Sequence, residues 1–452
     1  VHTITRPSPP RPQSRADGDS RSTTRGTIEV WLAVFLPLVF GLQYNLWNQI
    51  QAGHVVALLL LPVWASAAIG FRGYRLVAGL SVLSVVSGAV LTEFARVDHD
   101  FYLAAFVANS AEVLGIALLV GGLLWSRRVI GAPLVAILFA AAAIVHLIMD
   151  GALSSEDPWR MGFSFPVTTL VLALAWKTGS PVVGLVATAA ISLVPLLGDV
   201  RSGSAILIMV AMLVLWQMRP TSRGRRASTA RTLIGFGVLG SIVYSVVQAA
   251  ILGGYLGEHT QERSEMQIET SGTLLLGGRP EAGASVALLT HQPLGYGQGV
   301  LANFSDILVA KTGMSALGYQ PNNGYVENYM FGSGYEVHSI IGNLWIQFGL
   351  PGAALAISIV VLVFLALSHR LAHRSGSAAF LFLSVILLWD LLFSPIHSSL
   401  PSMILFLAVG LVAREDIAQP RHPAPLGAPH AHGSDTGAQA QTIRQRARKA
   451  SA

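Results

Sequence analysis

Apolar residues run along this chain in blocks of about 15 to 23, separated for the most part by short polar joints. A helix needs roughly 20 such residues to cross the hydrocarbon core of a bilayer. In lipid, each backbone N–H and C=O must find its partner inside the protein, which selects helices for blocks of this length. The pattern predicts twelve spans, over 28–48, 54–71, 76–93, 103–125, 130–149, 163–176, 180–198, 204–218, 232–254, 351–368, 377–394 and 398–413. The sixth, FSFPVTTLVLALAW, is short and contains Pro166. The expected organisation is a disordered tail over 1–27, nine helices over 28–254, a large loop over 255–337, an interfacial helix with three more spans over 338–413, and a disordered tail over 414–452.

Composition sharpens the class. Of 452 residues 52% are hydrophobic and 12% charged, against roughly 25% charged in a soluble domain. There is no Cys, so disulfides and thiolate metal sites are excluded. The three histidines of the second tail, His422, His430 and His432, are spaced too loosely among Pro and Gly for a ligand motif.

Charge then orients the helices. With both termini in the cytoplasm, 23 of the 29 basic residues fall on the inner side, as the bias of Lys and Arg toward cytoplasmic loops requires. The outer side receives Arg96, Arg160, Arg201, Arg263, Arg279 and Lys311. Acids run the other way, fifteen outside and six inside. The basic balance therefore reads as membrane topology, with no nucleic-acid partner implied. The expected location is the cell (inner or plasma) membrane, crossed many times.

The long loop breaks the pattern of short joints, and loops of that length are usually functional when they are ordered. Its stretch HQPLGYGQGV places Gly295, Gly297 and Gly299 two apart, a spacing that lets backbone approach a ligand or form a plain turn. Aromatics crowd the same loop: Tyr296, Phe304, Tyr319, Tyr325, Tyr329, Phe331 and Tyr335. Flat rings with hydroxyl tips suit sugar faces; a small core beneath the loop, or an aromatic belt at the bilayer surface, is the competing reading. At the loop's exit, Ile340, Ile341, Leu344, Trp345 and Phe348 follow helical spacing, which predicts a short amphipathic helix lying on the membrane surface before Gly349 and Pro351 turn the chain into span ten. His338 opens that helix. Histidine ordinarily exchanges a proton near neutral pH, which makes it a candidate general base. Two acids, Glu112 and Asp390, lie inside spans and must face the bundle interior.

His338-Ser339, nine residues, Gly349, two residues and Gly352 together resemble the motif of the bacterial O-antigen ligase and polymerase superfamily. PLGYGQG resembles the glycine-rich Pro-Leu segment that precedes this motif in many members. Twelve helices with one large outer loop late in the chain also fit. The resemblance covers roughly 195–368. One departure is at 205, where Ala stands four residues after Arg201 and the family often has Leu.

The resemblance implies an all-α polytopic membrane protein with a GT-C-like fold, working as a metal-independent glycosyltransferase without a cofactor. Such an enzyme passes a glycan from an undecaprenyl-diphosphate-linked donor to an acceptor hydroxyl, on a glycan or a lipid, at the outer face of the membrane. His338 would be the base. The leaving diphosphate calls for Arg, whose charged fork suits phosphate oxygens; Arg201, Arg279 and Arg263 are the first candidates. Tyr296, Gly297, Gly299 and Tyr335 are candidate substrate contacts, and Glu336 would orient the imidazole or bind sugar hydroxyls. Membrane lipids and a chain-length regulator are further candidate partners. Two other readings remain open: a twelve-helix transporter or lipid-linked oligosaccharide flippase, and a peptidoglycan-type polymerase relying on an acid such as Asp306.

Overall fold

Each of the twelve apolar blocks is helical over most of its length. The computed structural model describes residues 16–198, 200–219, 229–255 and 257–414; the side chains of Arg201 and Arg263 lie outside the described residues. Of the tails expected over 1–27 and 414–452, residues 1–15 and 415–452 also lie outside them, as do arginines 223, 225 and 226 of a loop expected on the inner side.

Helix α1 (Ala16–Leu42) starts within the expected N-terminal tail and is followed by a two-stranded hairpin, β1 (Asn45–Trp47) with β2 (Ile50–Gln51). Asn48 and Gln49 turn it, with φ of 43° and 67°, the left-handed pair that a two-residue hairpin turn requires. The first span therefore ends earlier than its apolar pattern suggests. The second expected span is broken in two, α2 (Ala52–Leu59) and α3 (Leu61–Ala68), at Leu60. Pro62 explains the break, since it removes an N–H and fits only the first turn of a helix.

The chain continues as α4 (Tyr74–Ala95), α5 (Leu103–Ile130), α6 (Ala132–Met149), α7 (Ser164–Lys177), α8 (Pro181–Leu197), α9 (Arg201–Met218) and α10 (Thr229–Leu252). After the large loop come α15 (Ile340–Ala372), α16 (Ala378–Phe393) and α17 (Ile396–Gly410). Helix α5 lies at the centre, packed on α1 through α4, on α6 and on α17. Its buried face includes Gly115, Gly121 and Gly122, where His54, Trp64 and Phe40 close in; small residues of this kind let membrane helices approach closely.

Among the described residues, five helices are long and apolar enough to cross a membrane: α4, α5, α6, the 234–252 part of α10, and α15. Large apolar side chains such as Leu59, Phe94 and Met149 project outward and are 70% or more exposed, an arrangement that suits lipid and not water. Together these features describe an all-α membrane protein.

The large loop is itself helical. It contains α11 (Glu258–Ser271), α12 (Leu274–Gly277), α13 (Glu281–His291), α14 (Phe304–Ser315) and a single π-turn at Val326–Met330. Tyr296, Val300, Met314, Met330, Tyr335, Trp345 and Ile346 form a second core beneath it. Of the readings of its aromatics, the small core accounts for Tyr296, Phe331 and Tyr335.

The helix at the loop's exit differs from expectation. Ile340, Leu344, Ile346 and Phe348 are buried, and so are the polar Asn343 and Gln347 between them. A helix buried on every side does not lie on a membrane surface. It is instead the first part of α15, packed along α4, with a break at Gly349 (φ 65°, ψ −146°).

Candidate functional site

Two polar clusters form where the loop meets the helices. The first ties the loop down. Asp306, in the first turn of α14, accepts at Oδ2 from His99 (2.8 Å), from the Tyr335 hydroxyl (2.6 Å) and from the Asn303 backbone N–H (3.0 Å). Asn303 caps the same helix by accepting from the Asp306 N–H, a reciprocal cap of the kind that satisfies two orphan donors. His99, in the joint between α4 and α5, has its other ring nitrogen 2.7 Å from Asp98 Oδ1. The Asp306 hydrogen bond, reinforced by Asp98, raises the His99 pKa to about 9 against the pull of burial. Burial pushes the Asp306 carboxyl up, but the hydrogen bonds from His99, Tyr335 and Asn303 outweigh it and hold it below the ordinary value. The result is a buried imidazolium–carboxylate pair with three donors on one carboxylate oxygen.

Tyr296 and Tyr335 pack beside this pair, their ring centroids 4.8 Å apart. Burial, with the Asp306 charge added, pushes both phenols up. Both are at most 1% exposed. This corrects the sequence-based expectation of substrate contact: their rings are turned into the core and have no face for a sugar.

Gly297 and Gly299 require the same correction. A Cβ on Gly297 (φ 115°) would lie 2.7 Å from the Thr92 nitrogen, and one on Gly299 would lie 2.8 Å from Phe106 Cβ. The glycines admit α4 and α5, not a phosphate. The segment is stitched in by backbone bonds: Tyr296 N–H to Ile346 O (2.7 Å), Tyr102 N–H to Gly299 O (2.8 Å) and Leu301 N–H to Asp100 O (3.0 Å).

The second cluster surrounds His338. Its backbone is left-handed (φ 50°), an uncommon state for a non-glycine residue and one that accumulates at functional sites. Ser339 follows as the N-cap of α15; its Oγ accepts from the Gly342 N–H (3.2 Å) and donates to Leu391 O (3.0 Å). The imidazole is half-buried and stacks on Tyr325 at 6.1 Å, with 27° between the rings. Its Nδ1 is buried and makes no hydrogen bond among the described residues.

Tyr325 is the hub. Its hydroxyl donates to Glu281 Oε1 at 2.5 Å, and its ring also stacks on Tyr329 at 5.8 Å and meets Tyr319 at 6.1 Å. Burial, the Glu281 hydrogen bond and its charge push the Tyr325 phenol up, so it stays a donor. Glu281, the first residue of α13, is 8% exposed, and its second oxygen, Oε2, has no hydrogen-bond partner among the described residues. Such a group in a native structure calls for an explanation. Tyr329, by contrast, is 73% exposed.

Charges complete the cluster. Arg279 lies over the rings of Trp389 (5.6 Å) and Phe393 (6.0 Å) at the end of α16. Asp390 beside them accepts from Ser394 and from Ser402 of α17, each at 2.8 Å, so this acid joins α16 to α17. Glu336 Oε1 lies 3.4 Å from His397 Nδ1, and the Glu336 carboxylate is within electrostatic reach of Glu112 on α5.

The structure thus brings His338, Glu336 and Arg279 to one end of the bundle. Arg201 opens α9 and Arg263 lies in α11. Sequence reasoning missed Glu281 as the partner of Tyr325, and His397 and His99 as partners of Glu336 and Asp306. Their partners are 44, 61 and 207 residues away, and no local pattern marks such pairs. No protein-family model, curated protein or solved structure matches the chain.

Proposed function

We propose that the chain is a membrane glycosyltransferase that moves a glycan from an undecaprenyl-diphosphate-linked donor to an acceptor hydroxyl at the outer face of the membrane, as a surface-polysaccharide polymerase or ligase. The observation that carries this reading is the setting of His338. A half-buried imidazole on a left-handed backbone, one ring nitrogen without a hydrogen-bond partner among the described residues, stands where the loop enters α15. Exposed Tyr329 leads to it through Tyr325. A sugar can lay its CH face on such a row of rings and offer a hydroxyl to the imidazole.

His338 takes the proton of that hydroxyl as its oxygen attacks the anomeric carbon. The bond from that carbon to the diphosphate oxygen breaks, and the diphosphate leaves with the electron pair. General-base help of this kind is worth roughly 10² to 10⁴ in rate. Arg279 supplies positive charge on the same side of the bundle, and Arg201 at the start of α9 is the second candidate for the diphosphate. Glu281 keeps Tyr325 in place under His338. The motif His338-Ser339-x9-Gly349-x2-Gly352 supports the same family reading, as does the excess of basic residues on the side assigned to the cytoplasm. Twelve crossings, a GT-C-like arrangement and two cytoplasmic termini belong to this proposal. Asp306 is 2% exposed and holds His99, Tyr335 and Asn303 at Oδ2, which speaks against the acid role that the peptidoglycan-type reading gives it.

The test is the pool of undecaprenyl-linked glycans in cells lacking the protein, rescued with wild type or His338→Ala. Single repeat units on the lipid, with long chains restored only by wild type, identify a polymerase. Full-length chains accumulating on the lipid identify a ligase. An unchanged pool refutes the transferase reading and favours transport.

A further inference from the structure

Away from the loop, a cavity of about 370 Å³ opens between the end of α9, the first half of α10 and the end of α15, within the size range of sites for small ligands. Leu213 and Leu371 form its buried floor, Trp216 and Leu239 its walls, and Arg219 its charged mouth. Leu215, Val238 and Ile242 at its rim are each about half exposed, so it opens sideways from the bundle.

Gly235 and Gly237 of α10 show that the described residues do not close this space. Gly41 and Gly121, by contrast, sit at helix contacts: a Cβ on Gly41 would come 2.3 Å from Phe139 O, and one on Gly121 would come 2.3 Å from Trp64. A Cβ on Gly235 or Gly237 would meet nothing within 4 Å. Protein interiors are close-packed, and an apolar groove open to lipid is filled by lipid.

The mouth selects the headgroup. Arg219 is exposed, and no carboxylate among the described residues pairs with it. Arg374 lies over the Trp216 ring at 6.0 Å and donates to the backbone oxygens of Gln217 (3.3 Å) and Arg219, which fixes the end of α9 and adds a second positive charge. The stretches 202–257 and 337–389, which supply the whole groove, contain seven arginines and no acid. A Trp beside Arg at a helix end marks the headgroup level of a bilayer, and the Arg fork fits a phosphate.

We propose that this groove is a binding site for one anionic phospholipid, an acyl chain lying along Gly235 and Leu239 and the phosphate held by Arg219. The inference is independent of the transferase reading.

Native mass spectrometry of the purified full chain tests it, with palmitoyl-oleoyl-phosphatidylglycerol and the phosphatidylcholine of the same chains as probes. Wild type retains one phosphatidylglycerol per chain in preference to phosphatidylcholine. Arg219→Gln lowers that preference about five-fold, the worth of one basic residue at an anionic surface. Gly235→Trp fills the groove and removes retention of both lipids; Leu239→Trp does the same and substitutes for it if the first variant fails to give a monodisperse protein. Equal retention of the two lipids by wild type, or retention unchanged by filling the groove, overturns the proposal. Displacement of phosphatidylglycerol by equimolar undecaprenyl phosphate overturns it in favour of an isoprenoid site.

Discussion

The His99–Asp306 pair should make docking of the loop depend on pH, with a sign the structure fixes. His99 is 3% exposed at its side chain and rises from 6.5 to about 9 on folding, first because of its hydrogen bond to Asp306. A raised pKa means that the folded state holds the proton more tightly, so the gain is complete below about pH 6.5 and is lost as pH climbs to 9. At 1.36 kcal/mol per unit the loss is up to about 3 kcal/mol. Asp306 has the opposite sense: its pKa is lowered, so its contribution is lost only in acid, below the ordinary carboxylate range. Between pH 6.5 and 9 His99 is thus the group in this cluster that titrates; Asp98 and Asp306 face it as charges, and Tyr296 and Tyr335 as neutral phenols. Hydrogen exchange of the α14 amides, corrected for intrinsic rates, measures the opening of this seam. Protection should fall about a hundred-fold from pH 6.5 to pH 9 in wild type and stay nearly flat in His99→Gln. The measurement stops at pH 9.5, because the buried phenols add their own loss above about 10. Equal slopes in the two proteins would refute the reasoning.

Three other perturbations probe the second cluster and the glycine seam. Gly297→Ala combines a φ of 115° with a Cβ 2.7 Å from the Thr92 nitrogen, so it should cost about 1–3 kcal/mol, read as a lower melting temperature in detergent, whereas Gly272→Ala, with open space at its Cβ, should cost less. Glu281→Leu and Tyr325→Phe each break the Glu281–Tyr325 hydrogen bond without removing a ring, and should lower polymer or ligated product about ten-fold in the cell assay with expression unchanged; full activity in both would remove Glu281 from the site. Arg279→Gln should leave α16 folded, since Asp390 keeps its two serine donors, but should cause lipid-linked donor to accumulate; a normal donor pool would show that Arg279 only packs on Trp389.

Much of the fold was legible because membrane helices announce themselves by length and composition, and the twelve apolar blocks are indeed helices. The divergences are local and have local causes. Pro62 cuts one block, a two-residue turn ends another, and the stripe at Ile340–Phe348 shows helical period without showing what covers the opposite face. Asn343 and Gln347 lie off the stripe, and both amides donate to Tyr335 O, at 3.1 and 3.3 Å. That contact crosses from the loop and is invisible to periodicity. The same limit applies to the site. His338 and Arg279 could be picked by residue type and position, but Tyr296 and Tyr335 could not be separated from Tyr325 and Tyr329. All four are loop tyrosines, and only burial distinguishes a core ring from a platform.

On the proposed reading, the two clusters divide one task. A general base contributes only if it is held in place relative to the reacting hydroxyl, and a misplacement of about 1 Å can cost 10²-fold. His338 belongs to a long connection, normally the mobile part of a protein. Here the connection is fastened on three sides: by His99–Asp306 at the start of α14, by the glycine segment between α4, α5 and α15, and by Ser339 to Leu391 O at α16. The glycine seam also depends on Gly349, because a Cβ there would lie 2.5 Å from Leu294 O in the incoming segment. The glycines of PLGYGQG and the Gly349 that follows His338 by eleven positions are therefore two halves of one close contact. Their job is to bring the loop near enough to α15 for the left-handed backbone of His338 to be held. Gly349→Ala should on this account act like a mutation of the site, lowering activity more than stability, whereas Gly297→Ala, which presses on α4, should lower both together. If Gly349→Ala loses stability first and keeps activity in the surviving protein, the joint positions nothing and His338 is held by Tyr325 alone.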